Sequence, residues 1–488
     1  MADRPTRRRW RLVQLQGSLT LGGEPAHRIV GDRLALGDGH CLAQAAYQLD
    51  GLEQSHEQVQ SLQVTARLYR HNGWKNGRNS QDPKELRQQA YPFFLGPRRE
   101  VLIPAPKEQM GPDDAIVIAA QLMSAFASRT GLYPASENQQ RYLWTDAFAV
   151  CNFLELFERT GDELYRRCAT ALIDKVHQVL GRYRPDDVRQ GWISGPDQNE
   201  GRHHPTKGGL RIGKPLKERP AGEPIDDGLE WDRDGQYFHY LTKWMHALCR
   251  AAFVANDPAY VEQALELETA AFNGFVHRSA SGDAVGIYWK MSTDLSRPLT
   301  YAMGLHDALD GFITFRVLQQ VSSKVQPKTE VAGLDPAIET LQKLCRNRNW
   351  TTDDPLGIGG LLFDACRLSQ LTAGDAEQEL LEQLTDASEK GLLVFLASQF
   401  LMRPASHRLA FRELGLAIGL RAAPTIIDRT RTRDQYRSLA GEIVNTWLPI
   451  AHSPDELWQA HRDINEVMLA TALIPETFLS VVAFNKAE

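Results

Sequence analysis

The sequence predicts a mainly α-helical fold, an (α/α)₆ toroid of helical hairpins that follows a small β-rich N-terminal region. Three observations lead to this prediction. From Pro112 onward, apolar residues recur with the 3.6-residue period of a helix. A capped turn between two helices repeats along the chain, and the connections between helices alternate between short and long. Helical hairpins of this kind bury their apolar faces only by stacking on their neighbours.

The length and the charge of the chain limit its organisation. With 488 residues it exceeds the usual size of a single core, so we expect residues 1–110 to form a small β-rich region and residues 111–488 the helical toroid. A net charge of -6 gives no electrostatic reason to expect a nucleic-acid partner.

The N-terminal region is predicted from alternation of apolar and polar residues. Trp10–Gln16, Leu19–Leu21 and Leu62–Tyr69 alternate as strands do, and Gly31-Asp32 suits a tight hairpin turn between residues 28 and 36.

Targeting signals and cysteines favour a reduced, cytoplasmic protein. Arg7-Arg8-Arg9 is not followed by the apolar segment of a signal peptide, and the longest apolar run, Gly391–Met402, is too short to span a bilayer. The six cysteines contain no C-x-x-C pair. We therefore expect no membrane association, no disulfide framework, no metal site and no cofactor.

The repeated unit consists of a helix, a tight turn and a second helix. Asp162 and Asp257 follow apolar helices and are predicted to cap the next helix, with Pro258 at its first position. Asp335 repeats this start signal after the helix predicted from His306 to Gln320. Later helices are predicted at 360–371, 376–402, 407–421, 433–448 and 454–474, which brings the total to about ten to twelve. An open α-solenoid is the alternative.

Long connections are predicted to gather at one face of the toroid. Residues 131–144, 182–236, 279–305 and 346–359 each lead into the first helix of a hairpin, whereas the turns inside hairpins are short. In a closed ring, all the long connections surround the N-terminal ends of the inner helices. Such loops are where binding and catalytic groups concentrate.

These connections carry aromatic residues beside carboxylates, a combination that suits a sugar ring. The predicted substrate-binding aromatics are Trp144, Trp192, Trp231, Tyr237, Tyr288 and Trp289. On hairpin periodicity and loop character, the chain from Pro112 onward resembles the six-hairpin glycosidase-like group of (α/α)₆ toroids. That group includes glycoside hydrolases, unsaturated-uronide hydrolases, polysaccharide lyases and sugar 2-epimerases. The resemblance implies carboxylates and histidines at the starts of the inner helices.

Four carboxylates are candidates for acid/base catalysis. Glu230, Asp232 and Asp234 precede an inner helix, and Asp146 begins another. Because glycoside hydrolysis needs two carboxyl groups facing each other, a pair from different connections, such as Asp146 with Asp232 or Asp234, is the more suitable choice. The alternative is that Asp232 and Asp234 cap a helix and that Glu230 is a solvent-exposed charge.

Histidines supply a second set of candidates. His306 begins an inner helix beside Asp307, a carboxylate that would orient it as a general base. Asp310 shares the helix face of His306, but one histidine and one aspartate do not make a metal site. His239 occupies the parallel point of the preceding hairpin, and epimerases need two proton-handling groups. Capping or buried, hydrogen-bonded roles are the alternatives for these residues.

The basic, glycine-rich loop Arg202–Arg219 is predicted either as a lid that binds an anionic group of a sugar or as a flexible insertion. Arg211 and Lys214 are its candidate anion ligands, and Arg297 is a further one.

The leading hypothesis is an enzyme that hydrolyses a glycosidic bond in an oligosaccharide or acidic sugar. The alternatives are a cofactor-free sugar epimerase or isomerase that uses paired histidines, and a non-catalytic toroid that binds a glycan or a protein. The sequence does not define the oligomeric state.

Overall fold

The computed structural model describes residues 20–21, 24–25, 111–136, 140–195, 197–325, 334–371, 374–427 and 430–481. The chain divides into two compact units, Met1–Lys75 and Asn76–Glu488. In the first unit, β1 (Thr20–Leu21) pairs antiparallel with β2 (Glu24–Pro25). The other predicted strands of the N-terminal region lie outside the described residues.

The described part of the second unit is mainly helical. Its helices are α1 (Pro112–Arg129), α2 (Leu143–Thr160), α3 (Glu163–Leu180), α4 (Gln198–His203), α5 (Asp227–Glu230), α6 (Phe238–Ala255), α7 (Ala259–Phe275), α8 (Asp307–Val325), α9 (Leu334–Cys345), α10 (Pro355–Ser369), α11 (Asp375–Ala397), α12 (Ala410–Ala422), α13 (Thr430–Trp447), α14 (Glu456–Ala460), α15 (Arg462–Leu473) and α16 (Glu476–Leu479). Its short strands are β3 (Gln236–Tyr237), β4 (Val276–Arg278), β5 (Ala284–Ile287) and β6 (Lys290–Met291), paired antiparallel as β3 with β6 and β4 with β5.

Helix contacts close into a ring. Going round it, α2 contacts α6, and the sequence of contacts continues through α8, α10, α12 and α15 back to α2. The helices α1, α3, α7, α9, α11 and α13 pack outside these six, each against its own inner partner. The predicted (α/α)₆ toroid is therefore confirmed, and the open solenoid is wrong because α15 contacts α2.

Burial separates the inner helices from the outer ones. In α2, every residue from Leu143 to Leu156 is buried, as expected for a helix that is surrounded on all sides. Outer helix α3 is buried only on one stripe, which includes Leu172 and Val176. The two layers are joined by side chains such as Trp244 of α6, whose Nε1 donates to Nε2 of His177 at 3.1 Å.

The turns inside hairpins follow the predicted chemistry with small shifts. Asp162 caps α3 by accepting a hydrogen bond from the Leu164 amide at 2.8 Å, so that prediction is confirmed. Asp257 accepts from the Ala259 amide at 3.0 Å, but Pro258 occupies the cap position and not the first helical one. Asp335 lies inside the first turn of α9 instead of preceding it.

Two predicted helix boundaries are wrong. The single helix expected at 454–474 is interrupted at His461, whose backbone (φ -122°, ψ 29°) is not helical and separates α14 from α15. The helix expected to reach Met402 ends at Ala397, and a short 3-10 helix covers Phe400–Met402. Both errors have the same cause: a continuous apolar period does not reveal where the backbone turns.

One end of the ring is closed and the other is open to the long connections. The short helix α16 contacts α2, α6 and α10, so it fills the centre of the ring between the inner helices. Its Phe478 ring stacks on Phe148 at 4.3 Å between centroids. We call the opposite end, where the inner helices begin, the rim. Within the described residues, no helix combines the length and the apolarity needed to cross a membrane.

Candidate active site at the rim

A ladder of aromatic rings runs along the rim toward the start of α6. Trp231 is 47% exposed and meets Trp289 edge to face at 5.2 Å between centroids. Trp289 stacks on Tyr237 at 4.8 Å, and Tyr237 stacks on His239 at 5.4 Å. The pairing of β3 with β6 brings these residues together, because Tyr237 lies opposite Lys290. Three of the predicted aromatics and one predicted histidine therefore form one row of contacting rings.

The ladder ends at a histidine and a carboxylate. Nδ1 of His239, near the start of α6, lies 3.6 Å from Oδ1 of Asp307, at the start of α8. Burial lowers the pKa of His239 to about 4, against the opposing effect of the charge on Asp310. The imidazole is therefore neutral at pH 7 and can accept a proton. Both residues are candidates predicted from the sequence, and the structure brings them together from the starts of neighbouring helices.

A buried charge network lies one turn below Asp307. Asp310 of α8 accepts hydrogen bonds from Thr242 and from Nζ of Lys243, the latter at 2.5 Å. Burial favours the protonated form of Asp310, but the charge of Lys243 and these hydrogen bonds outweigh it and lower its pKa. Asp364 of α10 has the opposite behaviour, since burial and the charge on Asp310 raise its pKa to about 7. The network thus places a carboxylate whose ionised form is favoured beside one whose protonated form is favoured.

Tyrosine hydroxyl groups gather between the starts of α2 and α6. The hydroxyl of Tyr142 lies 2.6 Å from that of Tyr240, and the Tyr240 ring meets Tyr237 edge to face. Tyr237 is only 2% exposed, and its hydroxyl has no hydrogen-bond partner among the described residues. Nζ of Lys214 lies 5.5 Å from the centre of the Tyr142 ring.

The carboxylate of Asp146 interacts with the residues that precede its own helix, α2. Its Oδ2 accepts a hydrogen bond from the Tyr142 amide at 3.1 Å, and its Oδ1 lies 3.6 Å from the guanidinium of Arg141. Burial raises the pKa of Asp146 to about 6, although the Arg141 charge opposes the shift. Both carboxylate oxygens of Asp146 therefore face residues that immediately precede α2.

Asp234 and Arg211 form a buried ion pair. Asp234 is fully buried, and its carboxylate receives hydrogen bonds from Nη1 of Arg211 and from the Gly213 amide. Arg211 also donates to the carbonyl groups of Arg182 and Val179. Asp234 therefore links two parts of the connection 182–236 to each other. It does not cap a helix, which was the alternative prediction for this residue. Arg211, predicted as an anion ligand, forms an ion pair with Asp234.

Glu230 and Asp232, close in sequence, lie in different environments. Glu230 is buried between Arg219, at 2.8 Å, and Lys290, at 3.2 Å, so the solvent-exposed alternative is wrong for this residue. Arg219 also donates to the Leu299 carbonyl and accepts a hydrogen bond from Arg297 at its own carbonyl. These bonds hold the second and third connections side by side. Asp232, by contrast, is exposed beside Trp231.

The loop Arg202–Arg219 is tied down by these contacts. Arg211 and Arg219 are both buried, which contradicts the prediction of a flexible insertion and leaves little freedom for a lid. The close fit shows at Gly213, where the backbone has φ +93° and an added Cβ would lie 2.1 Å from the Arg141 carbonyl oxygen. The loop is thus a fixed part of the wall.

The remaining predicted residues surround the ladder or support it. His306 lies within 3.3 Å of the Trp350 carbonyl and next to Asp307. Trp144 is buried against Phe148, Trp192 is buried under the guanidinium of Arg182, and Tyr288 packs on His277. These three aromatics contribute to the framework and do not join the ladder.

Sequence reasoning did not select Tyr142, Tyr240, Lys243 or Asp364. A signal existed for the last two: Lys243 and Asp364 are charged residues inside predominantly apolar inner helices, where an unpaired charge would be costly. The two tyrosines flank predicted residues but carry no distinctive spacing. In the described ranges, no group of three or more His, Cys, Asp or Glu side chains is arranged to hold a metal ion.

No family model and no curated protein matches the sequence. Solved structures similar to this chain include a family 76 α-mannanase of Bacteroides thetaiotaomicron, with 9% identity, a TM-score of 0.46, and coverage of 76% of this chain and 98% of the other. Cellobiose 2-epimerase of Spirochaeta thermophila has 10% identity, a TM-score of 0.42, and coverage of 74% and 97%. Unsaturated glucuronyl hydrolase of Bacillus sp. GL1 has 13% identity, a TM-score of 0.29, and coverage of 75% and 97%. The resemblance stated from the sequence named these kinds of enzyme.

Proposed function

We propose that this protein is a carbohydrate-active enzyme that hydrolyses a glycosidic bond by acid/base catalysis at the rim. The observation that carries the proposal is the ladder that leads from the exposed Trp231 to the His239–Asp307 pair. An apolar stacking surface that ends at proton-handling groups is suited to a substrate with both a CH face and a reactive oxygen.

The length of the ladder favours an oligosaccharide. Trp231 is exposed and Trp289, 5.2 Å away, is partly exposed, so more than one pyranose ring can contact these two indoles, whereas Tyr237 is buried behind Trp289. The exposed ring of Trp231 would hold a remote sugar, while the inner end holds the sugar that reacts. Substitution of Trp231 by alanine should therefore weaken binding and leave the unfolding temperature nearly unchanged.

The chemical roles follow from charge and position. Asp307 is the carboxylate that transfers the proton, and the neutral His239 beside it orients Asp307 or the attacking water. Hydrolysis uses a second carboxyl group on the other side of the bond.

The test is a hydrolysis screen of the full chain against α-1,6-mannotriose, cellobiose and uronide-containing oligosaccharides, with release of reducing ends as the readout. The variant Asp307→Asn should lower kcat by about 100-fold or more on any substrate that is cleaved. Asp386→Asn, in an exposed ion pair of α11, is the matched control. Full activity of Asp307→Asn would overturn the assignment, and cleavage of none of the substrates would argue against hydrolysis.

Epimerisation is the second candidate, and one observation favours it. His239 lies near the start of α6 and His306 immediately precedes Asp307 at the start of α8, so two imidazoles are available for proton transfer at a sugar carbon. Incubation with cellobiose in D₂O, followed by NMR, tests it. Deuterium incorporation at C2 that disappears in both His239→Asn and His306→Asn would support epimerisation in place of hydrolysis. Binding without either reaction would leave a glycan-binding protein.

A further inference from the structure

The tyrosine group at the rim contains hydrogen-bond donors that the protein itself does not use. Tyr142 and Tyr240 share one hydrogen bond, so one hydroxyl proton of the pair is left for another acceptor. The buried hydroxyl of Tyr237 has no partner among the described residues. Buried donors normally have acceptors, and one that lacks an acceptor within the protein is suited to a ligand atom.

Lys214 adds a positive charge to the same place. It is half-buried over the Tyr142 ring, and its Nζ forms no ion pair or hydrogen bond with any described side chain. Burial lowers its pKa, whereas the charges on Asp232 and Asp234 oppose this effect. Burial, and to a smaller extent the charge of Lys214, lowers the pKa of His461 at the start of α15.

The carboxylates near this group are already neutralised by other cations. Asp234 is paired with Arg211, and Arg184 lies 3.8 Å from it. Glu230 is paired with both Arg219 and Lys290. Asp232 is exposed and therefore screened by water and salt. Lys214 is the ammonium here whose charge no ion pair balances.

We propose that Lys214 and the hydroxyl groups of Tyr142 and Tyr237 bind a negatively charged substituent of the substrate, which makes the substrate class an acidic saccharide. A carboxylate or sulfate group would accept hydrogen bonds from the phenols and an ion pair from the ammonium. This inference rests on the proposed function, because the anion would belong to the sugar that lies on the ladder. It does not depend on which reaction follows.

The experiment measures binding by isothermal titration calorimetry, so it succeeds or fails independently of catalysis. The full chain is titrated with glucuronate, galacturonate, mannuronate and glucose 6-sulfate, and with neutral glucose, galactose and mannose. At least one acidic sugar should bind about tenfold more tightly than its neutral counterpart. A uronate and a sulfate that differ in affinity identify which anion the site accepts. Equal or weaker binding of every acidic sugar would overturn the proposal.

Two variants assign the preference to the named groups. Lys214→Met should remove the preference for the acidic sugar, whereas Lys217→Met, an exposed lysine of the same loop, makes the same change in net charge and should preserve it. Tyr237→Phe removes a hydroxyl without a partner in the protein, so the unfolding temperature should stay the same or rise while acidic-sugar affinity falls several-fold. Retention of the preference in Lys214→Met would contradict the assignment. If the Lys214→Met variant kept this preference while the protein still cleaved neutral oligosaccharides, the anion site would be refuted and the proposed hydrolytic function would stand.

Discussion

Nδ1 of His239 and Oδ1 of Asp307 lie 3.6 Å apart, at the starts of two neighbouring inner helices. The distance is too long for a good hydrogen bond, and a modest closure on substrate binding would form one. Since both residues belong to helix starts held by the ring, their separation is set by the contact between α6 and α8.

The first prediction concerns the pH dependence of the reaction. Burial lowers the pKa of His239 to about 4, so the imidazole is neutral above that pH and charged below it. We expect kcat/KM to stay level from about pH 8 down to about pH 5 with respect to this group, and to fall only as the pH approaches 4. Kinetics in buffers of constant ionic strength check this. An inflection near pH 6.5 that is absent from His239→Asn would contradict it.

The second prediction concerns Asp364, whose pKa of about 7 results from burial and from the nearby charge on Asp310. When folding raises the pKa of a carboxyl group, the folded protein becomes less stable as the pH rises from the pKa of the unfolded state, near 4, to the pKa of the folded state. For Asp364 this loss of stability is complete above pH 7. Asp364→Asn mimics the protonated form. It should therefore raise the unfolding temperature at pH 8.5 relative to the wild-type chain, by the equivalent of about 1–4 kcal/mol, and have little effect at pH 4.

Thermal unfolding of both chains at the two pH values gives the measurement. Asp386→Asn, whose side chain is exposed beside Lys390, is the control and should show no comparable dependence on pH. A stabilisation of Asp364→Asn that is the same at pH 4 and pH 8.5 would mean that packing, and not charge, is responsible.

Much of the ring could be predicted from the sequence because its determinants are local. Asp162 as a helix cap, the apolar period of α2 and the contrast between short and long connections are each readable within a few residues. The break at His461 was not predicted, because the apolar pattern continues through it. The pairing of β3 with β6 joins residues that are more than fifty positions apart in the sequence, and no local pattern predicts such a pairing.

The candidate site could be predicted by residue type but not by role. Asp234, Glu230 and Arg211 were reasonable catalytic or binding candidates, yet tertiary contacts turn them into buried ion pairs. A charged residue on a loop forms an ion pair only if a connection that carries the opposite charge lies beside it. Which connections are neighbours is determined by the whole ring and not by the local sequence. His239 and Asp307 are brought together for the same reason.

The third prediction separates structural from catalytic carboxylates. Arg211→Met leaves the fully buried Asp234 without its main counter-charge, and removal of one partner of such a pair costs about 3–5 kcal/mol. We expect a lower midpoint of urea unfolding together with any loss of activity. Glu163→Gln, which breaks the exposed pair with Arg166, is the control and should change stability by less than about 1 kcal/mol. Loss of activity in Arg211→Met without loss of stability would instead indicate that Arg211 contacts the substrate.

The fourth prediction tests the fit of the loop that carries Lys214. Gly213 and Gly222 both have a positive φ, +93° and +82°, so alanine brings a similar backbone strain of about 1 kcal/mol at either position. Only at Gly213 would the new Cβ approach a carbonyl oxygen, that of Arg141, at 2.1 Å, whereas nothing lies within 4 Å at Gly222. Gly213→Ala should therefore be less stable than Gly222→Ala by about 1–3 kcal/mol.

The same substitution should also weaken binding at the rim, because Arg141 precedes Tyr142 and Lys214 follows Gly213 in the chain. A clash at Gly213 pushes the ammonium and the phenol ring apart and disturbs the Nζ-to-ring distance of 5.5 Å. Urea unfolding gives the stability difference, and calorimetric titration with the acidic sugar gives the affinity. If Gly213→Ala and Gly222→Ala behave alike in both measurements, the loop adjusts to the added methyl group and is not the rigid wall that its buried contacts indicate.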